Sequence, residues 1–347
     1  MILLGIMCSV TSCRRKETPV TPPVERAIEL SDATVWPAQV KSGEQIPNGQ
    51  VFAPGDGIVV WGTWHQDLGE GVIKSKPNVF GIGGTKAYYP DWSYFPKRFW
   101  APANYTFAST LPASRFNASH NATGLEETGR TISGSFDGSE LSLEFSGFDL
   151  SEDQTELMYT FATVDNTDDK AYEITDGVSL YFENRLCAQL RLNMKSDGNT
   201  FFVKQVDIYG IHKSITGELE ISTEEGLVAA ADFVGILTEA SEENSPYATF
   251  SREEGSYWTI SGEETTQLVP GILVLPETFS ETSPMYVKVT YQSDDLRVNA
   301  MTFTLNTGSW EPNTINTYTL KASTLFIGEP IVTPWADGAA IPDIEIK

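Results

Sequence analysis

Cysteine is scarce in this chain, with Cys8, Cys13 and Cys187 the three it has in 347 residues. Cys8 and Cys13 sit in an apolar amino-terminal stretch and Cys187 stands alone far from both, so no disulfide framework can be built. Histidine is as rare. His65, His120 and His212 never fall into an H-E-x-x-H pair. The sequence also has no G-x-S-x-G elbow, no P-loop and no G-x-G-x-x-G turn. Each histidine reads as a surface or edge residue rather than a base or a metal ligand. Positive charge is short too: 23 Lys and Arg face 47 Asp and Glu, a formal charge of −24. That balance repels phosphate backbones and anionic membrane surfaces, and no basic patch interleaved with aromatics offsets it, which argues against nucleic acid as a partner. The apolar start, MILLGIMCSV, is too short to span a bilayer.

What the chain does have is 40 % hydrophobic and 11 % aromatic residues, enough to build sizeable cores. Thr, Ser, Gly and aromatics are dense, and short alternating runs lie between Gly/Pro/Asp/Asn clusters, the composition of an all-β protein. Residues 27–36 form a plausible first strand, with Ile28 and Leu30 on one face. Ile58, Val59, Val60 and Trp61 read as a fully buried strand after a Gly-Asp turn. Leu186, Ala188, Leu190, Leu192 and Met194 alternate, which leaves Cys187 a bystander beside Gln189 and Arg191. The same period of two sets Met285, Val287, Val289 and Tyr291 inward, and likewise Met301, Phe303 and Leu305. Residues 224–240 are the one stretch that could be helical, against the resistance of Gly226 and Gly235. An acidic, polar segment at 165–177 suggests a domain boundary, dividing the fold into 27–170 and 171–347.

Candidate chemistry is thin. Paired acids such as Asp168-Asp169 and Asp294-Asp295 read as solvated loops, with a loop calcium site near Asp165, Asp168 and Asp169 as the sharper alternative. No cofactor is expected. Residues 92–112 concentrate Trp92, Tyr94, Phe95, Phe99, Trp100, Tyr105 and Phe107. Their alternation into a strand favours packing, and a sugar-stacking platform is the other reading. Asn-x-Ser/Thr triplets stand at Asn104, Asn117 and Asn121, a pattern that carries meaning only where a glycosylating secretory pathway reads it.

The two ends of the chain are more telling. Val10-Thr11-Ser12-Cys13 closes the apolar start with small residues before a cysteine, as a lipoprotein signal peptidase requires. It predicts a signal peptide over 1–12 and lipidation at Cys13. No Lys or Arg precedes the apolar run, which predicts a start upstream of Met1. Residues 13–26, charged and rich in proline, read as a tether. At the other end Tyr318, Leu320, Ala322, Thr324 and Phe326 share one face of a strand. Ile331, Thr333 and Trp335 share another, Ile341 follows, and Ile344 and Ile346 share a last one. Apolar strand chemistry at a terminus calls for pairing, with the chain's own sheet or with another molecule.

Trp310-x-Pro312-Asn313 leading to Tyr318, a β segment and then VTPWADG resembles the carboxyl end of the fimbrillins, the subunits of type V pili. FAPGDGIVVWG, the W-x-Y-x-P segment from Trp92, and VSLYFENRLCAQL are similar to further family segments, although Asn184 and Arg185 stand where a His is common. The resemblance implies two tandem antiparallel β-sandwich domains of transthyretin-like architecture and no enzymatic activity. It also implies export as a lipoprotein to the outer membrane, removal of the first strand by a maturation protease, and polymerisation with other subunits into a surface fimbrium serving adhesion. The vacated groove would take a donor strand from the next subunit, here Ile331, Thr333, Trp335, Ile341, Ile344 and Ile346. Cleavage is expected between Lys41 and Ser42, because Lys41 is the sole basic residue between Arg26 and Lys74 and stands where fimbrillins commonly carry Arg; Arg26-Ala27 is the runner-up. The alternative from another class is a monomeric surface lipoprotein that binds a glycan or a host ligand.

Overall fold

The computed structural model describes residues 26–35, 57–111, 131–166 and 177–334, apart from 153, 155, 228, 243, 263, 293–296, 323–325 and 328–329. Cys13, Lys41, Ser42, His120, Asp168, Asp169, Asp294, Asp295, Trp335, Ile341, Ile344 and Ile346 lie outside the described residues.

The described chain is almost entirely strand. Alternation decides which faces are buried. In Ala188–Lys195 the side chains of Ala188, Leu190, Leu192 and Met194 are fully buried while Gln189 and Arg191 are partly exposed, because successive residues of an extended chain point to opposite faces. Met285–Gln292 and Val298–Leu305 follow the same rule, with Met285, Val287, Val289, Met301, Phe303 and Leu305 inward. Tyr291 is half-buried at the margin of the core. Two strands are covered on both faces. Gly57–Asp67 is buried over its first seven residues, and Thr314–Lys321 buries Ile315, Asn316, Thr317 and Tyr318 in succession.

One sheet runs Asn184–Arg185, Met158–Asp165, Asn104–Leu111, Gly57–Asp67, with Ile73–Lys76 and Thr85–Tyr88 both on the last of these. A second runs Leu237–Ala240, His212–Ser222, Glu140–Asp149, Thr131–Phe136. A third runs Thr266–Val274, Ala188–Lys195, Thr314–Lys321 and ends on Phe326–Ile327 and Ile331–Pro334. The fourth carries Ala248–Ser251 and Trp258–Ile260 on Phe201–Tyr209, followed by Met285–Gln292 and Val298–Leu305. Most pairings are antiparallel. Thr314–Lys321 lies parallel to Ala188–Lys195, and Leu30–Val35 lies parallel to Val178–Phe182 as a separate two-stranded sheet. Three pairings cross residue 170: Leu30–Val35 with Val178–Phe182, Met158–Asp165 with Asn184–Arg185, and Glu140–Asp149 with His212–Ser222.

Two apolar clusters hold these sheets. The larger spans Val59 and Trp61 through the strands after residue 186 to Trp310, Tyr318 and Leu320. The smaller joins Ile28, Leu30 and Ala33 to Ile58, Val60, Tyr105, Phe107, Val178, Leu180 and Phe182. Cys187 lies at 0 % exposure in the larger one, where burial pushes its thiol up to about 12. The helix considered for 224–240 is not there. Gly226 adopts φ +67, Ala229 is extended, and the segment resolves into a single 3-10 turn at Ala230–Phe233 followed by the strand Leu237–Ala240. A left-handed glycine and an extended residue at its start leave no room for a nucleus of consecutive helical residues.

Candidate functional site

The first strand is clasped rather than woven in. Ile28 sits at 0 % exposure, Leu30 at 5 % and Ala33 at 4 %, all pointing into the smaller core. A register irregularity between Leu30 and Asp32 lets Leu30 and Ala33 share that side. Among the described residues the strand's only ladder is the parallel one to Val178–Phe182, with Ser31 Oγ 3.2 Å from Ser179 Oγ.

Four groups fasten its leading end. Ile28 N–H donates to Arg98 O at 2.7 Å, Trp100 N–H donates to Arg26 O at 3.0 Å, and Ala27 bridges Phe99. The Tyr94 hydroxyl donates to Ile28 O at 2.6 Å and accepts Arg98 N–H at 3.3 Å. Burial lifts that hydroxyl above the ordinary phenol range, so it stays a neutral donor. Val178 N–H reaches Glu29 O at 2.7 Å. The preceding Gly177, at φ +67, has room for nothing larger, since a Cβ there would lie 2.7 Å from Glu29 O.

The last described strand, Ile331–Pro334, lies at the outer edge of the third sheet. Thr314–Lys321 turns back on itself, so that Ile331–Pro334 pairs antiparallel with it, Ile331 opposite Thr317 and Pro334 opposite Thr314. Ile331 and Thr333 are half-buried and Val332 is 50 % exposed. The described chain therefore ends on its own sheet, beside a cavity of about 360 Å³ lined in part by Tyr159, Arg185, Glu311, Asn313 and Val332. Its charged groups are engaged within the chain. Arg185 Nε donates to Glu156 Oε1 at 2.5 Å, and the Glu311 carboxylate accepts from Ala230 N–H and Ser309 Oγ, each at 2.6 Å.

The remaining candidates are placed as follows. His65 is exposed on Gly57–Asp67, and His212 is half-buried with Nδ1 2.7 Å from Glu277 Oε1. That hydrogen bond raises the imidazole above its ordinary value, against the opposing effect of burial. Among the described residues no group of three or more His, Cys, Asp or Glu is placed to hold a metal. Of the aromatics in 92–112, Trp92, Tyr94, Trp100, Tyr105 and Phe107 are packed in the core, with Trp100 edge-on to Tyr105 at 4.8 Å. Phe95 at 89 % and Phe99 at 49 % exposure depart from the packing expectation, because the turn between Tyr94 and Trp100 faces outward. Nothing in the sequence separated these two from their neighbours, since the alternation that signals burial breaks down within a turn.

Superposition on solved structures adds a relation that the geometry alone does not name. A fimbrial protein from Bacteroides vulgatus matches over 89 % of this chain and 99 % of its own, with a TM-score of 0.51 at 16 % identity. This chain shares that fimbrial protein's fold. A candidate cell adhesion protein from Bacteroides ovatus is also similar, over 92 % of this chain and 99 % of its own, at 13 % identity and a TM-score of 0.45. The sequence matches no protein-family profile and no curated protein. At such identities the fold is what is shared.

Proposed function

We propose that this protein is a structural subunit of a bacterial surface fimbrium, serving adhesion, which polymerises when its first strand is removed and replaced by the carboxyl-terminal strand of the next subunit. The observation that carries the reading is the clasped first strand: a parallel add-on whose apolar side chains complete a core built by other strands. Burying a side chain such as Ile28 or Leu30 is worth about 1.5–3 kcal/mol, so an emptied position exposes an apolar groove and the backbone edge of Val178–Phe182. A strand from another copy restores both the ladder and the burial. Ile331, Thr333, Trp335, Ile341, Ile344 and Ile346 supply apolar residues for that role.

Cleavage after Lys41 fits this scheme better than cleavage after Arg26. The Arg26 carbonyl, Ala27 and the Ile28 amide are all bonded to residues 98–100, and a protease needs an extended segment free to enter its active site. A cut after Arg26 would also leave the first strand in place. In this reading Cys13 carries the lipid that holds the precursor at the outer membrane, and the partners are a maturation protease, other subunits and a surface ligand.

Amino-terminal sequencing of the assembled form is the decisive experiment. A start at Ser42 is expected. A start at Ala27 moves the site, and an acylated Cys13 in the assembled form makes this copy an anchor. Deleting residues 340–347 should leave a folded subunit that no longer polymerises, and ladders formed by the truncated chain would overturn the donor assignment.

A further inference from the structure

The first strand is held unequally along its length. Over residues 26–28 it is gripped by one short turn: Ile28 N–H donates to Arg98 O, Trp100 N–H donates to Arg26 O, Ala27 bridges Phe99, and the Tyr94 hydroxyl donates to Ile28 O while accepting Arg98 N–H. Tyr94 is itself fixed in place. It is 5 % exposed, its ring stands edge-on to Phe80 at 5.2 Å, and Lys97 Nζ lies 4.8 Å over its centre. Ile28 and Leu30 bring branched side chains into the core at this end, and Ala33 brings a single methyl farther on. Past Leu30 the described backbone pairing is the one ladder to Val178–Phe182.

We propose that the turn at 94–100 is a latch, so that a subunit cut after its first strand keeps that strand, and replacement then proceeds from the Val35 end toward Ile28. The proposal rests on the reading that a strand from another copy takes this place, and it gives the exchange a direction and a residue, Tyr94, that sets its rate. Ladder bonds at a cut end open one after another, each returning its peptide groups to water. Opening from the other end breaks the bonds of 94–100 together and lifts Ile28 out of a fully buried position. An incoming strand that pairs with Phe182 first can follow the fraying resident along Val178–Phe182, so the ladder and the burial are never lost over the whole groove at once. Cutting alone therefore does not bare the groove. A cut subunit keeps its core covered until a donor strand arrives.

The test uses the full chain with a site-specific protease sequence placed over residues 38–44. After cutting, the amino-terminal fragment is expected to co-elute with the rest of the chain in gel filtration. Tyr94→Phe is expected to release it at least about five-fold faster, because the buried Ile28 carbonyl loses that donor. The phenyl ring keeps its seat against Phe80, and near-ultraviolet circular dichroism verifies the fold. Ser31→Ala, which removes an exposed contact with Ser179 Oγ, is the control and should leave release unchanged. Residue-resolved hydrogen exchange reads the direction. In the cut chain the amides of residues 180–182 should exchange ahead of Ile28. Tyr94→Phe should speed Ile28 while leaving Leu192, fully buried in the third sheet, as it was, whereas loss of overall stability would speed both. Loss of the fragment on cutting, equal release from the wild type and Tyr94→Phe, or an Ile28 amide that exchanges as fast as those of 180–182 overturns the proposal. None of these measurements needs a polymer, while the first residue of the assembled form tests the strand-replacement reading, so the two fail separately.

Discussion

His212 and Gly177 show how far single residues govern this chain. His212 hydrogen-bonds the buried Glu277, whose second oxygen accepts the His212 amide at 3.0 Å. Its folded pKa is raised above the ordinary imidazole value of 6.5, chiefly by that bond. A raised group contributes stability that is fully present below the unfolded value and is lost as pH rises through the folded one. Urea midpoints are therefore expected to fall as pH climbs past the ordinary imidazole range, and His212→Gln should flatten that part of the profile. Gly177→Ala is expected to lose about 1–3 kcal/mol, because a left-handed residue gains a Cβ that meets Glu29 O. Chemical denaturation reads the loss. Gly138 is a control, since it has the same kind of φ but a Cβ there would meet only a threonine side chain.

At the level of elements, the first and last described strands are held differently. The first strand is held by Tyr94, Arg98, Trp100 and Val178 and fills a core, whereas the last described strand covers an edge and leaves Val332 half exposed. Ile28→Ala is accordingly expected to cost about 2–5 kcal/mol, and Val332→Ala to stay within about 0.5 kcal/mol of the wild type. Thermal unfolding of the two variants side by side checks this asymmetry. If the losses are equal, the first strand is no more integral than the last, and the groove it would vacate is shallow.

For the whole molecule the dominant quantity is its charge. With 47 acids against 23 bases the folded chain repels itself, and added salt screens that repulsion. The melting temperature is expected to rise with sodium chloride from low to physiological ionic strength, as scanning calorimetry would show. An unchanged value would mean that the acids are spread widely enough not to interact.

Much of the architecture was legible in the residues themselves. The all-β class, the inward faces of Ala188–Lys195, Met285–Gln292 and Val298–Leu305, and the buried run from Ile58 to Trp61 follow from period-two alternation, which is local and survives in any fold. Long-range pairing was not legible. That Leu30–Val35 lies parallel to Val178–Phe182 and that Glu140–Asp149 pairs with His212–Ser222 across residue 170 are choices among strands with similar patterns. Alternation says which face of a strand is buried and nothing of which neighbour it meets. The exposure of Phe95 and Phe99 and the loss of the helix at 224–240 have the same origin. A turn residue has no face until the chain around it is folded, and Gly226 takes its left-handed φ only where the tertiary structure demands it.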